Sequence, residues 1–244
     1  MINAWGITDK GVVRSQNQDS YYLKTAGEDL VIALVCDGMG GARAGNVAST
    51  LAVKTAAAYL EELSREELLR SPGEHLTQAA RLANEAVYCQ AERDRECRGM
   101  GTTMVAVILS GCRAYILNIG DSRAYLLGEE GIRKLTRDHS VVEDLVHRGE
   151  LTPEEARTHP QKNLITRALG AEPEARTDLY ELALKAGEFL LLCSDGLSNT
   201  LTDQELLYEV LYGEEPESCC QRMLEIALSR GAPDNVTAVL IQLV

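Results

Sequence analysis

Three aspartates stand at the ends of short apolar runs, where the side chains of an active site can gather. Asp37 and Asp195 each follow such a run and precede a glycine, and Asp234 comes just before the last run, residues 236–244. If that run is antiparallel to the other two, all three carboxylates reach the same edge of the sheets. Asp121, in a Gly-Asp-Ser turn, and Asp19, before a β-compatible segment, can join them.

Crowded carboxylates cannot all stay ionised unless a cation lies among them. Hard divalent ions prefer oxygen ligands, and no His or Cys accompanies these aspartates, so Mg²⁺ or Mn²⁺ is favoured over Zn²⁺. A single Asp-Gly pair is ordinary turn chemistry. The prediction of a metal site therefore depends on the joint placement of the five aspartates.

Two other patterns could bind phosphate or a nucleotide. The segment Asp37-Gly-Met-Gly-Gly-Ala-Arg-Ala-Gly45 matches neither common nucleotide-loop motif, and we interpret it as a strand-to-helix turn with Asn46 as the helix cap. Cys89 and Arg95 have the spacing of a thiol phosphatase loop, but the residues between them include no glycine and continue a helical pattern. We therefore interpret that spacing as coincidence.

The hydrophobic pattern alternates between the two common periods. Strand-like runs are predicted at 2–8, 30–36, 102–109, 113–119, 123–127, 189–193 and 236–244, and helices at 46–63, 76–93, 203–211 and 216–229. Turns at 110–111, 120–122 and 128–131 predict three hairpins. Strands in groups and helices in pairs favour a layered α+β fold over a strictly alternating parallel sheet.

Composition limits the class of protein. The 244 residues are 45% apolar and 25% charged, which is typical of one large globular domain. A net charge of −13 argues against binding to nucleic acid or anionic lipid. Seven cysteines without a Cys-x-x-Cys pair indicate reduced thiols, and no apolar run is long enough to span a bilayer. We therefore expect a cytoplasmic protein with no membrane segment.

The charged segment from Asp138 to Pro173 interrupts the strand-rich part of the sequence with helical fragments and with Pro153 and Pro160. It exceeds the usual loop length of about 12–15 residues, and such excursions are often functional lids. From the residues alone, the segment can be either a lid or a plain surface insertion.

Six motifs together resemble the metal-dependent Ser/Thr protein phosphatases of type 2C in their bacterial form. They are Arg14-Ser-Gln-Asn-Gln-Asp19, Asp37-Gly-Met-Gly-Gly41, Gly101-Thr-Thr103, Gly120-Asp-Ser-Arg-Ala124, Ser194-Asp-Gly-Leu197 and Asp234-Asn-Val-Thr237. The resemblance covers residues 6–239. It implies a four-layer α-β-β-α sandwich in which helix pairs flank two mostly antiparallel sheets. It also implies a single phosphatase domain, 1–244, whose flap subdomain lies at about 138–175.

The resemblance also implies roles for particular residues. Asp37 would bridge two ions, the Gly38 carbonyl would bind one of them, and Asp195 and Asp234 would hold the other. Asp19 would act through metal-bound water, and Asp121 with Asp195 would hold a third ion. Arg14 would grip the substrate phosphate. Each of these residues is an aspartate, an arginine or a glycine, and each lies in one of the six motifs.

The implied activity is hydrolysis of phosphoserine and phosphothreonine by direct attack of a Mn²⁺- or Mg²⁺-activated water. Phosphoproteins, a Ser/Thr kinase and the targets of that kinase are the implied partners, and a monomer is expected. Met39 and Ala42 stand where many family members have histidine, so no general acid is assigned. We interpret His139, His147 and His159 as solvent or packing residues. A non-catalytic interaction module and a phosphatase for small esters are the alternatives.

Overall fold

Two antiparallel β-sheets stack face to face, and helices cover both outer faces. The computed structural model describes residues 1–213 and 215–244, and at residues 41–43 it describes the backbone alone. The strands are β1 Ile2–Asp9, β2 Asp19–Thr25, β3 Leu30–Met39, β4 Gly101–Thr102, β5 Met104–Ser110, β6 Arg113–Ile119, β7 Arg123–Gly128, β8 Gly131–Lys134, β9 Asp178–Ala183, β10 Phe189–Cys193 and β11 Val236–Leu243.

One sheet has the order β1-β11-β10-β7-β8, and the other has the order β2-β3-β5-β6-β9 with β4 paired to β3. Every pairing between neighbouring strands is antiparallel. The helices are α1 Gly41–Glu62, α2 Arg65–Arg70, α3 Pro72–Arg93, α4 Val141–His147, α5 Pro153–Thr158, α6 Asp195–Ser198, α7 Asp203–Tyr212 and α8 Pro216–Ser229.

Three apolar clusters lie between the four layers of the fold. The strand β3 is continuously apolar because it contributes side chains to two of these clusters. Ile32 and Leu34 pack with α1 and α3, whereas the alternate residues Val31 and Val35 pack between the two sheets. A third cluster joins the five-stranded sheet to α7 and α8. Because successive side chains of a strand point to opposite faces, a strand buried on both faces must be apolar at every position.

The predicted four-layer α-β-β-α sandwich is confirmed, with several local differences. The helix α1 begins at Gly41, so Asn46 lies inside the helix, where its Oδ1 accepts a hydrogen bond from Thr50. The prediction of Asn46 as the cap is therefore wrong. The strand β9 and the short helix α2 were not predicted.

The turn at Gly120–Ser122 does not close a hairpin, so that prediction is also wrong. The strand before it, β6, pairs with β5 and β9 in one sheet, whereas β7 pairs with β8 and β10 in the other. Both edges of β6 are already occupied, so the chain must cross to the second sheet. The predicted hairpins at 110–111 and 128–131 are confirmed by pairing of Ser110 with Arg113 and of Gly128 with Gly131.

The segment between β8 and β9 contains the short helices α4 and α5. The serine Ser140 caps α4, and Thr152 forms a reciprocal capping box with Glu155 at α5. Neither helix has a fully buried residue, so the segment lies over the body of the protein instead of inside it. Among the helices of the described residues, none combines the length and apolar character needed to cross a bilayer.

Candidate metal centre

Asp19 and Asp37 face each other across two neighbouring strands. Asp19 opens β2, and the antiparallel register of β2 with β3 places it directly opposite Asp37. Directly opposed residues have Cβ atoms roughly 4.5–5.5 Å apart, and like charges there repel. The pairing of two carboxylates at this position is costly unless a cation or a proton lies between them.

Asp195 and Asp234 come from the other sheet. Asp195 is the first residue of α6, immediately after β10, and Asp234 precedes β11, the antiparallel neighbour of β10. A Cβ on Gly196 would lie 1.9 Å from the carbonyl oxygen of Asn235, so only glycine allows the two segments to approach this closely. The strands β10 and β11 are therefore antiparallel, as we expected from the sequence, and Asp195 and Asp234 lie at the same edge of this sheet.

Asp121 lies in the crossing from β6 to β7, and this crossing brings it between the two sheets. A single cavity of about 460 Å³ collects these residues at one end of the sandwich. Its walls include most of the predicted site residues, Arg14, Asp37, Gly38, Asp121, Asp195 and Asp234. Asp19 is 5% exposed and lies behind Asp37.

The carboxyl groups perturb one another. Burial raises the pKa of Asp19 to about 7, although hydrogen bonds from Ser194 and Thr237 oppose the shift. Burial and repulsion from Asp195 raise the pKa of Asp121 to about 7. The pKa of Asp37 is raised well above its ordinary value by burial and then by the charges of Asp19 and Asp195. Each shift reflects a negative charge held in an unfavourable place.

Two buried carboxylate oxygens support a cation as the missing partner. Oδ1 of Asp19 and Oδ1 of Asp195 have no hydrogen-bond donor within the described residues. No three His, Cys, Asp or Glu side chains of that part of the chain form a ligand set by themselves. Mg²⁺ and ions like it bind through one or two carboxylates and keep several waters, so such sites do not need a third acidic ligand. The residues present therefore fit hard divalent cations.

Gly38 can contribute a backbone oxygen because the chain is tightly packed there. A Cβ at this position would lie 2.0 Å from the carbonyl oxygen of Gly45. The amide of Gly38 donates to the carbonyl of Gln18, which ties β3 to the segment that leads into Asp19. The backbone at Gly38 is therefore packed against Gly45 and the segment before Asp19, where only glycine fits, and both Asp37 and Gly38 line the cavity.

Arg14 stands at the rim of the same cavity. Its Nη2 donates to Oδ2 of Asp234 over 2.8 Å, and the two side chains are 51% and 35% exposed. Exposed ion pairs contribute little to stability, so Arg14 can leave Asp234 at little cost in free energy and bind another anion. A guanidinium can bind phosphate oxygens in pairs.

Several neutral residues that were given no role in the sequence analysis hold the acidic side chains. Ser194 and Thr237 each donate a hydroxyl to Oδ2 of Asp19 over 2.7 Å. The hydroxyl of Thr102 donates to the carbonyl of Asp37, and that of Thr103 accepts from the Asp37 amide. All four residues belong to the quoted motifs, which is the only sequence signal that could have identified them.

Asn235 connects the loop of Arg14 to the loop of Asp234. Its Oδ1 accepts from the amide of Gln18 over 2.8 Å, and its Nδ2 donates to the carbonyls of Lys10 and Gln16. The side chain is 4% exposed. Three hydrogen bonds from one buried amide therefore position the entire loop that carries Arg14.

We expect Asn235→Ala to lower the free energy of unfolding by about 2–4 kcal/mol, since three hydrogen bonds of roughly 1 kcal/mol each are lost. Chemical denaturation of the metal-free protein measures this change. Asn3→Ala, which removes an amide from β1 that makes no side-chain hydrogen bond in the described residues, should change stability by less than about 0.5 kcal/mol. Equal effects of the two substitutions would contradict the role given to Asn235.

The other sequence hypotheses for phosphate chemistry have clear outcomes. Cys89 lies inside α3 and Arg95 follows in a separate 3-10 turn, so the two do not frame a phosphate-binding loop. His139 is buried, whereas His147 is exposed. Met39 lines the cavity with an apolar side chain, and the side chain of Ala42 lies outside the described residues.

A β-sandwich flanked by helices, with acidic oxygens and one arginine around a cavity at its end, defines a class of metal-dependent phosphatase folds. The chain belongs to the protein phosphatase 2C family, whose model matches residues 12–235. The resemblance found in the sequence is thereby confirmed.

Among its relatives, the serine/threonine protein phosphatase PstP of Mycobacterium tuberculosis is 41% identical over 97% of this chain. The match covers 44% of PstP, so this chain spans less than half the length of that relative. The serine/threonine phosphatase Stp1 of Staphylococcus aureus superposes with a TM-score of 0.94 at 34% identity, covering 100% of this chain and 96% of Stp1. A PstP catalytic domain in complex with two manganese ions superposes with a TM-score of 0.85 at 37% identity, covering 99% of this chain and 97% of that one.

Proposed function

We propose that this protein is a Mn²⁺- or Mg²⁺-dependent phosphatase of phosphoserine and phosphothreonine residues in proteins. The observation that carries the proposal is the cavity at the end of the sandwich, which is lined by four aspartates, Gly38 and Arg14. The named activity of the relatives and the two manganese ions of the PstP structure support the same conclusion.

We propose for each residue the ligand role that the family resemblance implies, and the placement of the residues supports these roles. Asp37 faces Asp19 and senses the charges of Asp121, Asp195 and Asp234, so it has the central position for a residue that bridges two ions. The Gly38 carbonyl would serve one ion, and Asp195 with Asp234 would serve the other. Asp121 and Asp195, whose charges repel each other, would hold a third ion. Asp19 would act through a water molecule.

A pair of divalent cations supplies a water of lowered pKa and neutralises charge on a phosphoryl group. The protein supplies the rest. Arg14 can orient two phosphate oxygens, and Asn235 holds the loop that carries Arg14. Ser194 and Thr237 fix the carboxylate of Asp19, and Thr102 and Thr103 bind the backbone of Asp37.

We further propose that the segment at about 138–175 acts as a flap that contacts the protein substrate. Asn163 and Ile165 of this segment line the cavity, together with the aspartates. A second cavity of about 420 Å³ lies between the segment and α7, and it shares Asp121, Asn163 and Asp195 with the first. A peptide on either side of a phosphorylated residue would have a continuous surface to contact.

The substrates proposed here are phosphoproteins made by a Ser/Thr kinase, and the kinase itself can be among them. We propose a monomer, because one chain supplies every residue assigned to the site. A cytoplasmic location is proposed because all seven cysteines are free thiols, of which five are buried, as is typical of a reducing compartment.

Hydrolysis of a phosphothreonine peptide by purified protein tests the activity. We expect turnover only when Mn²⁺ or Mg²⁺ is added, and we expect Cys89→Ser to match the wild type because Cys89 lies in a helix away from the cavity. Activity that survives a chelator and disappears in Cys89→Ser would overturn the proposal. Hydrolysis of small phosphate esters without any hydrolysis of phosphopeptides would favour the small-ester alternative, and full metal binding without any hydrolysis would favour the interaction module.

A further inference from the structure

The imidazole of His139 connects the turn that carries Asp121 to the flap segment. Its ring is 5% exposed, and both ring nitrogens have partners. The amide of Gly120 donates to Nδ1 over 3.1 Å, and Nε2 lies 3.1 Å from Oδ2 of Asp178 at the start of β9. Residue 139 thus stands between the β6-to-β7 crossing and the end of the flap segment.

These contacts determine the tautomer of His139. Because the Gly120 amide can only donate, Nδ1 must be the unprotonated acceptor, and the ring proton is on Nε2, where Asp178 accepts it. Arg167 holds the other oxygen of Asp178 over 2.9 Å. Nη1 of Arg167 also lies 3.2 Å from Nε2 of His139, so Asp178 and Arg167 both contact the ring on the side opposite the Gly120 amide.

The backbone of His139 makes a second bond to the same glycine. Its amide donates to the Gly120 carbonyl over 2.9 Å, so both polar backbone groups of Gly120 are bound by one residue. Gly120 has φ +102, and a Cβ there would lie 2.5 Å from the side chain of Thr103. The glycine is therefore held tightly from both sides, and Asp121 is the next residue.

The Asp121 side chain has no such support of its own. Within the described residues, no other side chain donates a hydrogen bond to its carboxylate. The nearby charges of Asp195 and Asp138 repel it, whereas Arg123 attracts it and the backbone amide of Asp121 itself donates to it. The direction of this carboxylate is therefore set by the backbone of the turn. The contacts that hold Gly120 therefore also determine the direction of the Asp121 side chain.

We propose that His139 is a positioning residue that aims the Asp121 carboxylate at its metal position by binding the Gly120 amide through Nδ1. The inference rests on the metal role proposed for Asp121 and extends it to a neutral residue outside the cavity. It also links that metal position to the flap segment through Asp178 and Arg167. A residue that fixes a metal ligand in this way commonly changes metal affinity by about 10–100-fold when it is replaced.

Three variants separate this role from general stability. His139→Ala removes the ring, whereas His139→Asn places an amide oxygen where Nδ1 accepts from Gly120. His75→Ala is the matched control, because His75 also has both ring nitrogens engaged, by Tyr59 and the Glu67 carbonyl, in a distant part of the fold. Amide hydrogen exchange of residues 118–122 in the metal-free proteins and Mn²⁺ titrations by calorimetry are the two measurements.

In His139→Ala we expect faster exchange at residues 118–122 and a weakening of the weakest Mn²⁺ step by about 10–100-fold. The Mn²⁺ concentration for half-maximal turnover should rise, while the KM for a phosphopeptide at saturating Mn²⁺ stays near the wild-type value. His139→Asn should recover most of the lost Mn²⁺ affinity and the slow exchange. His75→Ala should change neither.

Unchanged exchange and Mn²⁺ binding in His139→Ala would overturn the inference, as would equal impairment of the Ala and Asn variants or the same loss in His75→Ala. Failure of the proposed function gives a different result. In that case, the wild type hydrolyses no phosphopeptide, yet the exchange and Mn²⁺ binding still respond to His139→Ala and recover in His139→Asn.

Discussion

Asp37→Asn is expected to abolish hydrolysis of a phosphothreonine peptide at saturating Mn²⁺. Asp37 faces Asp19 across the β2–β3 pair, and its charge interacts with those of Asp121, Asp195 and Asp234. An asparagine of the same shape cannot neutralise a cation between these groups. Loss of a single stabilising donor at an active site costs about 10²–10³ in turnover, and a residue shared by two ions should cost more than about 10³.

A matched control separates this loss from a change in folding. Asp29→Asn removes the same charge from an exposed ion pair with Arg65 and should retain wild-type turnover. Metal-free Asp37→Asn should be at least as stable to heat as metal-free wild type, because a buried charge among like charges has been removed. Turnover within tenfold of wild type would show that Asp37 is not a ligand of the working ions.

Removal of divalent metal is expected to lower the thermal stability of the wild type as well as its activity. Asp19, Asp37, Asp121 and Asp195 all have raised pKa values because burial and mutual repulsion disfavour their charges. Cations that bind only the folded state offset that repulsion. One ion at 100 times its Kd adds about 2.7 kcal/mol to the free energy of unfolding, and at 1,000 times its Kd about 4.1 kcal/mol.

Thermal unfolding in excess chelator and across a Mn²⁺ series measures this effect. The melting temperature should rise with Mn²⁺ in the wild type and rise much less in Asp37→Asn, while Asp29→Asn behaves like the wild type. The same melting temperature in chelator and in saturating Mn²⁺ would rule out a metal centre at this end of the sandwich. Two bound divalent ions would also reduce the net charge of −13 by four, to −9.

Local sequence patterns were sufficient for most of the fold. The apolar runs that become β3, β5, β10 and β11 are buried on both faces, so their composition alone identified them. The apolar pattern did not predict the strand β9, because its residues alternate between half-buried and exposed and include two charged side chains. The observed start of α1 differs from the predicted one because the helix is capped by Gly40, which has no capping side chain and lies six residues before the expected cap Asn46.

The turn at residues 120–122 shows what a local pattern cannot decide. A glycine and an aspartate between two strands are typical of a hairpin, and only the pairing of β6 with β5 and β9 excludes one. That pairing joins residues up to 70 positions apart, for example Arg113 with Ala183. The consequence is functional, because the crossing carries Asp121 to the gap between the sheets.

The sequence by itself determined the type of chemistry, through aspartates at strand ends and six ordered motifs that identify the protein phosphatase 2C family. The tertiary structure alone decided which neutral groups contact Asp19 and the loops and turns that carry the other site residues. Asn235, Thr237 and His139 act on partners 19 or more residues away, through hydrogen bonds that exist only when separate strands and loops meet. Charge and apolar character are properties of single residues, whereas the direction of a hydrogen bond depends on the assembled fold.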